Sequence, residues 1–163
     1  MMVAYKNILY CTDFSANSRA ALPQAIDLAR KYGAALHVLH VYQEAGHVAE
    51  FEISSDIKMD WIRVARLMGA EMEKKLQELC REVNRELGFC QSKMLRGKPD
   101  AEILRYVRET HIDLIVMASH GLTGIEHALF GSTAERVLRG SPCQVLIVKT
   151  QRGGSREGGL SSF

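Results

Sequence analysis

Two clusters of small residues in the C-terminal third of the chain have the composition and placement of a phosphate site. Ala118-Ser119-His120-Gly121 follows the apolar run Leu114-Ile115-Val116-Met117, and Gly131-Ser132-Thr133 opens a helical pattern that ends at Gly140-Ser141-Pro142. With little bulk on Cβ, backbone N–H groups can approach anionic oxygens, and the positive end of a helix dipole favours the charge. A third polar stretch, Thr12-Asp13-Phe14-Ser15, closes the strand-like Asn7–Thr12. Asp13 has two readings there: a carboxylate facing a ligand, or a cap for the following helix. His120 is read as a residue that orients its loop rather than as a catalyst. His37 and His40 stand three apart on one strand, hence on opposite faces, and make a poor metal pair. No metal site is expected.

The elements that must position these residues alternate along the chain. Strands are expected at 7–12, 35–42, 90–95, 114–117 and 144–149, the fourth and fifth being apolar runs without polar alternation. Such runs suit strands covered on both faces. Between them lie a helix from Ser15 to Tyr32, stopped by Gly33, and a long one from Ile57 to Leu87. A third starts at Pro99 and ends near Thr110, and a fourth precedes Gly140. Pro23 removes one donor from the first helix and is expected to kink it. On the long helix Trp61, Val64, Ala65, Met68, Met72, Leu76, Leu79, Val83 and Leu87 recur with a period near 3.6, which predicts one amphipathic helix with its methionines in the core. The segment 43–56 has no clear period. Strand–helix alternation predicts an α/β fold, a parallel sheet with helices on both faces.

Composition narrows the function classes. The 163 residues suit one domain, expected over 1–150, with 151–163 a flexible Gly/Ser/Arg-rich tail. A net charge of +2 with interspersed signs argues against a nucleic-acid surface. The apolar runs fall short of a membrane span, and a cytoplasmic location without membrane contact is expected. Cys11, Cys80, Cys90 and Cys143 contain no CxxC pair and read as buried or half-buried thiols, Cys11 being the one nearest the polar cluster and the one to watch for oxidation.

The residues from about Tyr5 to Lys149 resemble the universal stress protein family, in its ATP-binding subgroup. That subgroup carries Gly, two residues, Gly, nine residues, then Gly with Ser or Thr; here Ala118 stands for the first glycine, Gly121 and Gly131 match the others, and Ser132 follows. Leu122 replaces a basic residue common in relatives. The resemblance implies a single-domain, open five-stranded parallel sheet, Rossmann-like (adenine nucleotide alpha hydrolase-like), with strand order 3-2-1-4-5. Ligands of such sheets bind beyond the carboxyl ends of the strands, where neighbouring crossovers leave to opposite faces. It also implies ATP, or AMP or ADP, as ligand, with Mg²⁺ bridging the phosphates. The adenine would meet Thr12, Asp13 and Val41. Ribose and phosphates would cross Met117, Ala118, Ser119, His120 and Gly121 and end on the amides of Gly131, Ser132 and Thr133. A homodimer through the last strand, Gln144 to Lys149, is implied as well, and that apolar edge invites pairing on its own account.

The function expected is nucleotide sensing in a stress response, without enzymatic activity beyond slow ATP hydrolysis. Two alternatives stand beside it: a dimeric relative that binds no nucleotide and acts through protein contacts, and an ATP-using enzyme. Against the enzyme, Thr12-Asp13-Phe14-Ser15 lacks the Ser-Gly-Gly turn of adenylate-forming ATPases, and no nucleophile–base pair stands at recognisable spacing.

Overall fold

The computed structural model describes residues 4–43, 55–120 and 130–149. Gly121, the spacer positions 122–129, most of the segment 43–56 and the tail lie outside the described residues. The elements run β1 (Asn7–Cys11), α1 (Ala16–Tyr32), β2 (Ala35–Tyr42), α2 (Ser55–Leu87), β3 (Cys90–Arg96), α3 (Pro99–Glu109), β4 (Leu114–Ala118), α4 (Ser132–Gly140) and β5 (Gln144–Val148). The strands form one sheet in the order β3-β2-β1-β4-β5, parallel throughout.

Strand alternation divides the core into two layers. Ile8, Tyr10, Val38, Leu114 and Val116 pack with α1 and with Leu76, Leu79 and Val83 of α2. Leu9, Cys11, Leu39, Ile115 and Met117 pack with Ile103 and Val107 of α3 and with Ala134 and Val137 of α4. The chain after β1 therefore turns to one face and the chain after β4 to the other, which opens the sheet's carboxyl edge between them. His37 and His40 separate as their spacing requires. His37 Nδ1 lies 3.0 Å from the Tyr106 hydroxyl of α3, and the His40 ring packs against Phe14, tilted by 43°, with centroids 4.5 Å apart.

Local chemistry sets the helix ends. Ser15 caps α1, its hydroxyl accepting from the Ser18 N–H at 3.1 Å. Gly33 ends it at φ 62°, a left-handed turn that needs glycine. Pro23 does not stop α1, which continues to Tyr32. Pro23 is exposed, as is Arg19, whose carbonyl loses its donor, so water can supply one. Pro99 begins α3, with Asp100 and Glu102 in its positive first turn. Among the described residues, the long α2 packs through its C-terminal half; Val64 and Met68, expected in the core from their period, are exposed, and the side chain of Trp61 lies outside the described residues. Periodicity identified the helix but could not say how much sheet there was for it to cover.

Two buried acids in β1 tie stability to pH. Burial pushes the Tyr10 hydroxyl up from 10.0 to about 12, against weaker hydrogen bonding from Thr12 and Ser18, and burial pushes the Cys11 thiol up from 9.0 to about 12. Raised folded-state values favour the neutral forms on folding. Their contribution is complete below the unfolded values and is lost as pH climbs from about 9 towards 12. Urea unfolding across that range is expected to show falling stability. Tyr10→Phe is expected to be about 1 kcal/mol less stable at pH 8, having lost the bond to the Ser18 carbonyl, yet to decline less steeply above pH 10.

Candidate functional site

A cavity of about 590 Å³ opens at the carboxyl edge of the sheet, between the ends of β1 and β4. Among the described residues, ten of the eleven expected from the sequence line it: Thr12, Asp13, Val41, Met117, Ala118, Ser119, His120, Gly131, Ser132 and Thr133. The eleventh, Gly121, lies outside the described residues. The β4 side is held by backbone. The Ser119 N–H donates to the Val148 carbonyl at 3.0 Å, and the Ser119 hydroxyl lies 3.1 Å from His120 Nδ1.

The β1 side is a set of short polar bonds. The Thr12 N–H donates to the Leu39 carbonyl at 2.9 Å, and the Thr12 hydroxyl accepts from the Phe14 N–H at 3.0 Å. That bond helps hold Phe14 at φ 62°, a left-handed conformation that costs a bulky residue on the order of 1–3 kcal/mol. Asp13 Oδ1 accepts from the Ser15 N–H at 3.0 Å and from the Ser15 hydroxyl. Asp13 thus braces the cap residue while lining the cavity, so its two readings are not exclusive. His40 Nδ1 lies 2.8 Å from the Thr12 carbonyl, which can only accept; the proton is on Nδ1. Nε2 is then a buried acceptor without a donor among the described residues.

One expected donor is corrected. The Gly131 N–H donates to the Ser119 carbonyl at 2.7 Å, so it closes the β4–α4 turn and does not face a ligand. Gly131 is the N-cap residue of α4 and brings no side-chain cap. The amides that follow it, on Ser132 and Thr133, belong to the first turn, which has no intrahelical acceptors. A Cβ at Gly131 would stand 3.5 Å from the Ser119 oxygen, an ordinary contact, and φ is −69°. Gly131→Ala is therefore expected to fold with stability within about 1 kcal/mol of the parent, checked by thermal melting.

The sequence reading missed the cavity's cations. Lys98, beside the start of α3, and Arg136, on the second turn of α4, both line it and converge on Asp100, at 3.6 and 3.7 Å. Against these two cations the described lining sets two carboxylates, Asp100 between them and Asp13 beside β1, so the positive charge is gathered at the α3–α4 side of the cavity. Sequence carried the signal. Gly97-Lys98-Pro99 follows β3, whose carboxyl end shares an edge with that of β2 through the Gly97 N–H to Tyr42 carbonyl bond at 3.0 Å. Arg136 is one helical turn beyond Ser132. Met72 of α2 also reaches the cavity, where a core position was expected.

The chain matches the universal stress protein family model over residues 4–149. It belongs to that family. It is 33% identical to universal stress protein MJ0531 of Methanocaldococcus jannaschii over 148 residues, 89% of this chain and 82% of that one. The solved universal stress protein UspA of Lactobacillus plantarum superposes with a TM-score of 0.78 at 22% identity, covering 90% of this chain and 99% of that one. A universal stress protein solved in complex with cAMP superposes at 0.62 with 23% identity, covering 91% and 100%. The five-stranded 3-2-1-4-5 sheet is shared with these folds.

Cys11 is expected to react slowly despite its position beside the polar cluster. It is buried, and burial holds its thiol near 12, so little thiolate forms at neutral pH. Iodoacetamide labelling at pH 8, followed by mass spectrometry, is expected to modify Cys11 about a hundredfold more slowly in the native chain than in urea. Equal rates would show that the site is open.

Proposed function

We propose that this universal stress protein binds ATP in the cavity between β1 and β4 and acts as a cytoplasmic nucleotide sensor of the stress response. The observation that carries the reading is the start of α4. Its open first-turn amides and two flanking cations, Lys98 and Arg136, line the same cavity as Asp13 and Val41. The amides and the helix dipole suit phosphate oxygens, and the cations suit a polyanion more than a single charge. Asp13, Thr12 and the Val41 backbone would receive the adenine and ribose. The relative in complex with cAMP supports an adenine nucleotide as the ligand class. Magnesium would arrive with the phosphates, because Asp13 and Asp100, the carboxylates of the described lining, already serve Ser15 and the Lys98–Arg136 pair. Hydrolysis is at most slow, below about one turnover per minute. The chain would form a homodimer through the β5 edge, where Leu146 is exposed.

Calorimetry with ATP is expected to give a dissociation constant in the micromolar range, about 8 kcal/mol. Arg136→Ala and Lys98→Ala should each weaken ATP about tenfold and AMP less, each removing one charge-assisted contact. Asp100→Asn should tighten ATP by removing a competing carboxylate. No heat at millimolar ATP would refute nucleotide binding, and equal losses for ATP and AMP would refute the phosphate assignment.

A further inference from the structure

The outward face of α2 carries a charge pattern that complements itself. Leu79 and Val83, which pack α2 onto the sheet, lie on one side of the helix. At 3.6 residues per turn, Asp60, Arg63, Val64, Leu67, Glu71 and Lys74 share the roughly opposite side, and all are exposed. Leu67 is 66% accessible, the highest value among the exposed large apolar residues described. Opposite charges stand at equal distances on either side of it. Asp60 and Lys74 are each seven residues from Leu67, and Arg63 and Glu71 are each four. Val64 and Ala70 stand three residues away on either side.

We propose that this face is a surface for self-association, occupied by the α2 of a second copy of this chain running antiparallel, with the two-fold axis at Leu67. An antiparallel pairing with that centre places Asp60 of each copy opposite Lys74 of the other, and Arg63 opposite Glu71. Leu67 meets its own twin at the axis, flanked by Val64 and Ala70. A two-fold contact must match one patch to itself, which this inversion of sign does and a uniformly charged helix cannot. None of the four charged side chains forms an ion pair with another described residue, so no intramolecular partner must be displaced. The contact is short, about 21 Å of helix from residue 60 to residue 74, and so is expected to be weak and reversible.

The test uses the full chain carrying Leu146→Arg, which blocks pairing at the β5 edge and leaves α2 untouched. Sedimentation at rising concentration is expected to show this chain doubling in mass, less so at high salt. Arg63→Glu or Glu71→Arg alone should weaken the doubling about tenfold or more, because each reversal sets like charges opposite one another twice. The two together should restore it. Leu67→Cys treated with diamide should form a disulfide dimer through the introduced thiol while the parent does not. Circular dichroism should show unchanged folding in every variant, since the positions are exposed. A chain that stays monomeric, single reversals without effect, or a double reversal that fails to recover would each overturn the proposal; so would capture of a different protein by a face that does not pair with itself.

Discussion

The parallel pairing of β1 with β4 is the constraint on which the rest depends. These two strands sit in the middle of the sheet, with Ile8, Leu9 and Tyr10 in register with Leu114, Ile115 and Val116, all buried. Their entry is fixed by Asp113, whose Oδ2 accepts from the Lys6 and Asn7 N–H groups at 2.7 and 2.8 Å. With both faces of both strands filled, α1 and α4 must leave to opposite sides. The gap between those departures is the cavity, and it exists because neither crossover helix can close it.

What lines the gap follows from the same packing. Tyr10 is the last large side chain of its layer, and its hydroxyl donates to the Ser18 carbonyl at 2.7 Å. The Thr12 and Ser18 hydroxyls lie 3.2 Å apart beyond it. This chain of hydroxyls lets β1 end in polar residues that remain buried without orphaned groups, and it holds the strained Phe14 in place. Strain of this kind persists only where its surroundings over-determine it, and here the Thr12 hydroxyl and the His40 ring do so.

Most of this was legible in the sequence because it rests on period and on residue size. Apolar runs without alternation marked β4 and β5, and Ala118, Ser119, Gly131 and Ser132 marked the two corners. Three kinds of information were not local. The direction of a single amide, that of Gly131, depends on a carbonyl twelve residues earlier. The meeting of Lys98 and Arg136 at Asp100 joins α3 to α4 across a distance that no spacing rule spans. The burial of α2 depends on the width of the sheet beneath it. Its apolar period is the same in both halves, but Leu76, Leu79 and Val83 find the sheet and Val64 and Met68 do not.

In the exposed half of α2 the stripe residue Met68 turns toward the Leu79 and Val83 side and Leu67 turns away from it, so it is the outward face, not the stripe, that bears on self-association. The β5 edge poses a similar question at the far side of the sheet, where Leu146 is 37% exposed. A chain with one self-complementary surface closes as a dimer. With two, the axes decide between a closed tetramer, if they intersect at right angles, and a linear array, if they do not. The surfaces differ in physics as well. Strand pairing rests on backbone hydrogen bonds that salt barely touches, whereas the α2 face depends on exposed charges screened over about 8 Å at physiological salt. Ionic strength would therefore act on one contact and leave the other in place, making the larger assembly the salt-sensitive one.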